Sequence, residues 1–126
     1  MTSFELQLEP ERSNVALARR FVMDAVHRLG HDALADVVEL LTSELVTNAV
    51  LHAGTPVQLK VAGVGEGVRI EVSDGQGGTP RRRHYSPESA TGRGLGLVEA
   101  LASDWGTRAE GGGKTVWCTV GAEAVA

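Results

Sequence analysis

From about residue 32 to residue 53 the chain has the periodicity of one long helix, bounded by Gly30 and Gly54. At about 100° per residue, Leu34, Val37, Leu41 and Leu45 fall in one sector of that helix. Asn48 and His52 fall inside the same sector, and Glu44 sits at its edge. Glu44, Asn48 and His52 are spaced i, i+4, i+8, so they stack along a single stripe. A carboxylate, an amide and an imidazole on the apolar side of a helix must be hydrogen-bonded, paired or facing a ligand. The stripe is therefore either a set of satisfied polar groups near a helix end or one wall of a polar site.

The other elements are shorter. Ser3 to Leu8 alternates, with Phe4, Leu6 and Leu8 on one side, and reads as a strand. Pro10 and Ser13 open a helix of about 13 to 29, which Gly30 stops. Val57 to Val64 and Val68 to Ser73 both alternate around the turn Gly63 to Gly67, as in an antiparallel hairpin. Asp74 to Thr91 is polar and irregular, longer than a passive connection, and is expected to act as a mobile lid. A third helix is expected from Leu95 to Trp105, then a hairpin of 106–110 and 114–121. Strands and helices come in blocks, so the fold class is α+β, a sheet with helices on one face.

Composition narrows the function. One domain, residues 1–126, suffices for this length. A net charge of −4 without a basic tail argues against nucleic acid as the main partner; Arg81-Arg82-Arg83-His84 is a local exception. No apolar run spans a membrane and the N-terminus has no signal-peptide pattern, so the expected compartment is the cytoplasm. The one cysteine, Cys118, lies in a strand-like run and reads as a buried, inert thiol. Trp105 and Trp117 read as core residues.

Four pieces need one explanation: the polar stripe, Asp74 closing a strand before Gly75-Gln76-Gly77-Gly78, the turn Thr91-Gly92-Arg93-Gly94-Leu95-Gly96-Leu97 opening a helix, and Gly113-Lys114-Thr115. Glycines leading into a helix let backbone N–H groups approach an anion, and the helix N-terminus favours negative charge. The turn fits neither the dinucleotide fingerprint nor a Walker A motif. A carboxylate at a strand end can accept from an exocyclic amine such as that of adenine. Asn and Glu on one helix face can hold Mg²⁺ and a water beside phosphates.

These residues carry a resemblance. Glu44-Leu45-Val46-Thr47-Asn48-Ala49-Val50-Leu51-His52-Ala53 resembles the N-box of the GHKL ATPases. Gly92-Arg93-Gly94-Leu95-Gly96-Leu97 resembles their second glycine box, and Gly113-Lys114-Thr115-Val116 their third motif. The first strand and helix resemble those of bacterial anti-sigma factor serine/threonine kinases, and the likeness runs over about residues 3 to 121. It implies the Bergerat fold, a sandwich of a mixed, mostly antiparallel sheet with helices on one face. ATP and Mg²⁺ would lie between the long helix, the lid and the sheet.

By that resemblance Asn48 binds Mg²⁺ and Glu44 orients or deprotonates the attacking hydroxyl. Asp74 contacts the adenine amine, with Thr115 in support. Gly92, Gly94 and Gly96 cradle the phosphates, with Gly78, Thr91 and Leu95 in the same site. Arg93 or the Arg81 to Arg83 run neutralises phosphate charge, and His52 supports the helix. The chain departs from the pattern at one place: Gln76 stands where the family's first glycine box has its first glycine.

Two functions follow from the resemblance. One is a kinase that binds a sigma factor and phosphorylates a serine or threonine on an antagonist protein, with homodimerisation suggested. The other is a partner-switching module of the same fold with weak or no ATP turnover, which Gln76 favours. A histidine-kinase catalytic domain fits less well, since no dimerisation helix with a phosphoacceptor histidine precedes the ATP-binding region.

Overall fold

The computed structural model describes residues 2–75, 94–110 and 112–121. Among these residues, five strands and three helices follow in the order β1 (Ser3–Leu8), α1 (Asn14–Arg28), α2 (Ala35–Ala53), β2 (Val57–Val64), β3 (Gly67–Asp74), α3 (Gly94–Leu101), β4 (Asp104–Glu110) and β5 (Gly113–Val120). One sheet has the strand order β1-β2-β3-β5-β4, and every neighbouring pair is antiparallel. The expected mixed sheet is thus wholly antiparallel among the described strands. The expected lid, Gln76 to Ala90, and the Arg81-Arg82-Arg83-His84 run lie outside the described residues.

Alternation decides which face of the sheet is covered. Val57, Leu59 and Val61 of β2, Val68, Ile70 and Val72 of β3, and Val116, Cys118 and Val120 of β5 are all buried. The register sets them in rows on one face, Val61–Ile70–Cys118 and Leu59–Val72–Val116. The helices lie on that face, α1 against β1 and β2, α2 against β2, β3 and β5, and α3 against β4. Their own contributions are Ala18, Val22, Ala25 and Val26 from α1, Val38, Leu41, Leu45 and Val46 from α2, and Val98 from α3. The result is one continuous core between a helix layer and a sheet. Burial pushes the Cys118 thiol up to about 12, so it is inert as expected.

The opposite face holds itself together with polar contacts. The Trp117 indole fills the space over Gly106, where a Cβ would meet the ring at 2.9 Å. The Arg69 guanidinium stacks over the same indole, 4.1 Å from its centroid. Glu71 accepts from Arg69 Nε at 3.0 Å and from Arg108 Nη2 at 3.3 Å. Trp117 is therefore not a core residue, although Trp105 packs against the core.

Two element boundaries differ from the sequence reading. The third helix stops at Leu101, and Trp105 belongs to β4. The backbone N–H of Ser103 donates to Thr119 O at 2.7 Å, and its hydroxyl donates to the same oxygen at 2.9 Å. The chain is drawn onto β5 there, and Trp105 pairs with Cys118. The long helix is also shorter, because Asp32–Leu34 forms a separate 3-10 turn before α2. Gly54, at φ 68°, ends α2 in the left-handed conformation that glycine adopts without strain.

Thr42 is fully buried on α2, and its Oγ1 has no hydrogen-bond partner among the described residues. A desolvated, unsatisfied hydroxyl costs free energy that an isosteric methyl does not. Thr42→Val is expected to raise unfolding stability by about 1 kcal/mol in urea titrations, with an unchanged m-value. A loss of stability would show that the hydroxyl has a partner in solution.

Candidate functional site

Four helical positions of α2 frame the site. Asn48 is buried on the core-facing side, and its Oδ1 is shut from solvent with no hydrogen-bond partner among the described residues. Glu44, one turn earlier, is half-buried at the edge of the exposed stripe. His52, one turn later, is also half-buried, with its Nε2 inside the protein. The stripe anticipated from the helical wheel is therefore graded: Asn48 points deepest, and its two neighbours lie between core and surface. Thr47, the fourth position, is half-buried beside them. Leu34 and Val37, placed in the same sector by the wheel, are only partly buried.

The sheet supplies the other wall. Asp74 is the last residue of β3 and pairs with Val57 on one side and Lys114 on the other. Directly paired residues in an antiparallel ladder share a face. Asp74 and Lys114 therefore lie on the helix-covered face, in line with Val72 and Val116. Thr115 lies on the other face, where its hydroxyl and that of Ser73 are hydrogen-bonded at 2.7 Å. The geometry thus separates Thr115 from the side on which Asp74 stands, although it remains in the strand-pairing row next to it.

Lys114 is the residue that the motif reading passed over. Its parity was visible in the sequence, since Lys114, Val116, Cys118 and Val120 alternate with Thr115, Trp117 and Thr119. Loss of solvent around its ammonium lowers its pKa, and the nearby Asp74 carboxylate works in the opposite direction.

Gly113 fixes the distance between the two strands here. A Cβ on Gly113 would overlap the carbonyl oxygen of Asp74. The obstacle is backbone, which cannot swing aside as a flexible side chain can. Thr55 ties in the connection from α2, its Oγ1 accepting from the Gly75 N–H at 3.0 Å. A cleft of about 240 Å³ opens at this end of the sheet, lined by Pro56, Val57, Asp74 and Gly75 with Gln7, Gln58 and Ser73.

Of the glycine-rich turn, Gly94, Leu95 and Gly96 form the first residues of α3, and Gly96 is exposed with open space where a Cβ would stand. Gly78, Thr91, Gly92 and Arg93 lie outside the described residues. Among the described residues no three His, Cys, Asp or Glu side chains gather to hold a metal ion. An ion that retains waters and phosphate oxygens needs only one or two protein oxygens, and the Asn48 amide offers one.

Gly113→Ala is expected to force β5 away from Asp74 and to cost about 2 kcal/mol or more of stability, as overpacking against an immovable group does. Thermal unfolding checks this, with Gly96→Ala as the control that should be near neutral. A variant at Gly113 as stable as the native chain would mean that the strands do not approach so closely.

The family model of the histidine kinase-like ATPase domain matches residues 7–120. No curated protein gives a significant match. Among solved structures, the histidine kinase domain of the blue-light activated histidine kinase from Erythrobacter litoralis EL346 is similar, with a TM-score of 0.57 and 24% identity. The match covers 84% of this chain and 59% of that one, so the chain spans under two thirds of the length of its structural relative. That likeness concerns the fold, and the family match covers nearly the whole of the two walls described above. The chain belongs to the histidine kinase-like ATPase domain family, and is a GHKL-type ATP-binding domain.

Proposed function

We propose that the chain binds ATP with Mg²⁺ and serves as a regulatory protein kinase of the anti-sigma factor type. The observation that carries the metal-dependent part is Asn48. Its amide oxygen is buried without a donor among the described residues, and an oxygen left so costs about 1–3 kcal/mol. A hard cation takes such an oxygen as a ligand and removes that cost. Asp74, on the facing wall, accepts from the exocyclic amine of adenine, and Gly96 in the first turn of α3 leaves room for phosphate oxygens.

Glu44 has the position for the proton transfer. It lies one helical turn before Asn48 and only half-buried, so a hydroxyl can approach it from outside. In this reading its carboxylate orients a serine or threonine hydroxyl of an antagonist protein and accepts its proton as the phosphoester forms. Bound ATP would supply the γ-phosphoryl group, its bond to the β-phosphate breaking and ADP leaving. The partners are a sigma factor and its antagonist, in a cytoplasmic setting; no helix among the described residues is long and apolar enough to cross a membrane.

A second reading keeps the fold and drops the turnover. Gln76 replaces a glycine in the segment after Asp74, which favours a binding module that switches partners with weak or no ATP turnover. Catalysis separates the two readings.

Calorimetry with and without Mg²⁺ tests the metal assignment. Asn48→Ala is expected to weaken Mg·ATP binding by about tenfold or more while leaving metal-free ADP nearly unaffected. Equal losses for both nucleotides, or none, would remove Asn48 as the metal ligand.

For catalysis, Glu44→Gln should abolish phosphoryl transfer to a serine-bearing antagonist with ATP affinity changed only a few-fold, because the amide keeps the size but takes no proton. Transfer at the native rate by this variant would reject the role. Absence of transfer by the native chain, despite antagonist binding, would select the second reading.

A further inference from the structure

At the nucleotide end of the sheet, the row of residues facing the helix layer is Val57, Asp74, Lys114 and Ala109. The row below it is Leu59, Val72, Val116 and Thr107. Val57, Leu59, Val72 and Val116 are buried. The ladder thus presents an apolar floor with two charged side chains of opposite sign standing next to each other along one edge. Their spacing is fixed by the strands, and Gly113 removes the side chain that would wedge those strands apart. Lys114 is partly withdrawn from water on this face, and the Asp74 carboxylate acts on its charge.

A carboxylate can only accept from a base edge, and an ammonium can only donate to it. The edge of adenine carries a donor, the exocyclic amine, next to an acceptor, N1. Guanine carries an acceptor, O6, next to a donor, N1–H. Asp74 alone can read only the amine. It leaves N1 without a donor, and an unmatched acceptor in a dry site is costly.

We infer that Lys114 is a second base-reading residue, its ammonium donating to N1 of adenine while Asp74 accepts from the adjacent amine. The inference rests on the proposed ATP site. It makes the acid and the base one reading unit, in which the order of charges along β3 and β5 matches the order of donor and acceptor on the base. The stem of Lys114 lies in line with Val116 and extends the apolar floor.

The experiment compares ATP with 1-deaza-ATP, in which a C–H replaces N1 and the amine is retained. Binding to the native chain and to Lys114→Met is followed by calorimetry in Mg²⁺ buffer. The native chain is expected to bind 1-deaza-ATP about tenfold or more weakly than ATP, as loss of a hydrogen bond to a charged donor implies. Lys114→Met should bind the two nucleotides equally well and still prefer ATP to GTP through Asp74. The native-chain comparison needs no variant, so a poorly folding variant does not decide the matter. Equal binding of the two nucleotides by the native chain overturns the inference and leaves the ATP site intact. Tighter ATP binding by Lys114→Met also overturns it, since the lysine would then compete with the base for Asp74. No ATP binding by the native chain removes the site reading itself, a separate result.

Discussion

The pairing of β3 with β5 is the constraint on which the site depends. Asp74 and Lys114 occupy the last rung of that ladder, and the rung exists because Gly113 allows the Asp74 carbonyl to come close. Every other feature of that wall follows from the register. Were the pairing to slip by one residue, Asp74 would face Thr115 or Gly113 and the buried row of Val72 and Val116 would break as well. The apolar core thereby enforces the position of the polar pair. The covered face has no freedom to place a valine against solvent, so the charges at its end have none either.

Asn48 and Thr42 are both buried on α2 with an oxygen that finds no partner among the described residues, yet they differ in meaning. Thr42 belongs to the packed part of the helix, where the hydroxyl is a small defect among valines and leucines. Asn48 lies on the same stripe as two half-buried ionisable side chains, toward the end of α2 from which the chain passes to Val57, the strand partner of Asp74. A polar atom desolvated at that place is one that a ligand of the proposed site would satisfy. On the outer face, by contrast, Glu71 accepts from Arg69 and Arg108, and Arg69 stacks over Trp117.

Much of the architecture was legible from period alone. The alternation of Phe4, Leu6 and Leu8, the hairpin around Gly65 and the long helix ending at Gly54 all survive in the structure. Trp105 was misplaced because the apolar spacing of Leu97, Val98, Leu101 and Ala102 runs on past the point where strand pairing takes over. Tertiary hydrogen bonds from Ser103 to Thr119 outweighed a continuing helical pattern there. Asn48 was found because an amide inside an apolar sector violates the pattern around it. Lys114 was missed although its parity was in plain view, since the motif drew attention to the neighbouring threonine. A motif gives residue types in order; only register says which of them share a face.

The β3–β5 ladder also bears on how the molecule assembles. β1, β2 and β3 with α1 and α2 lie within residues 3–74, whereas β5 joins β3 only after the chain has looped through residues 75 to 112. Loop closure of that length carries an entropic cost that grows slowly with loop size and must be met before the contacts form. The Asp74–Lys114 rung closes that span, as the Leu8–Val57 pair closes the span between β1 and β2, and it parts when β5 and β4 leave the sheet. Ligands that grip both strands would act as a clasp on that departure. They would slow the opening of the molecule and leave the rate at which its first half collapses untouched.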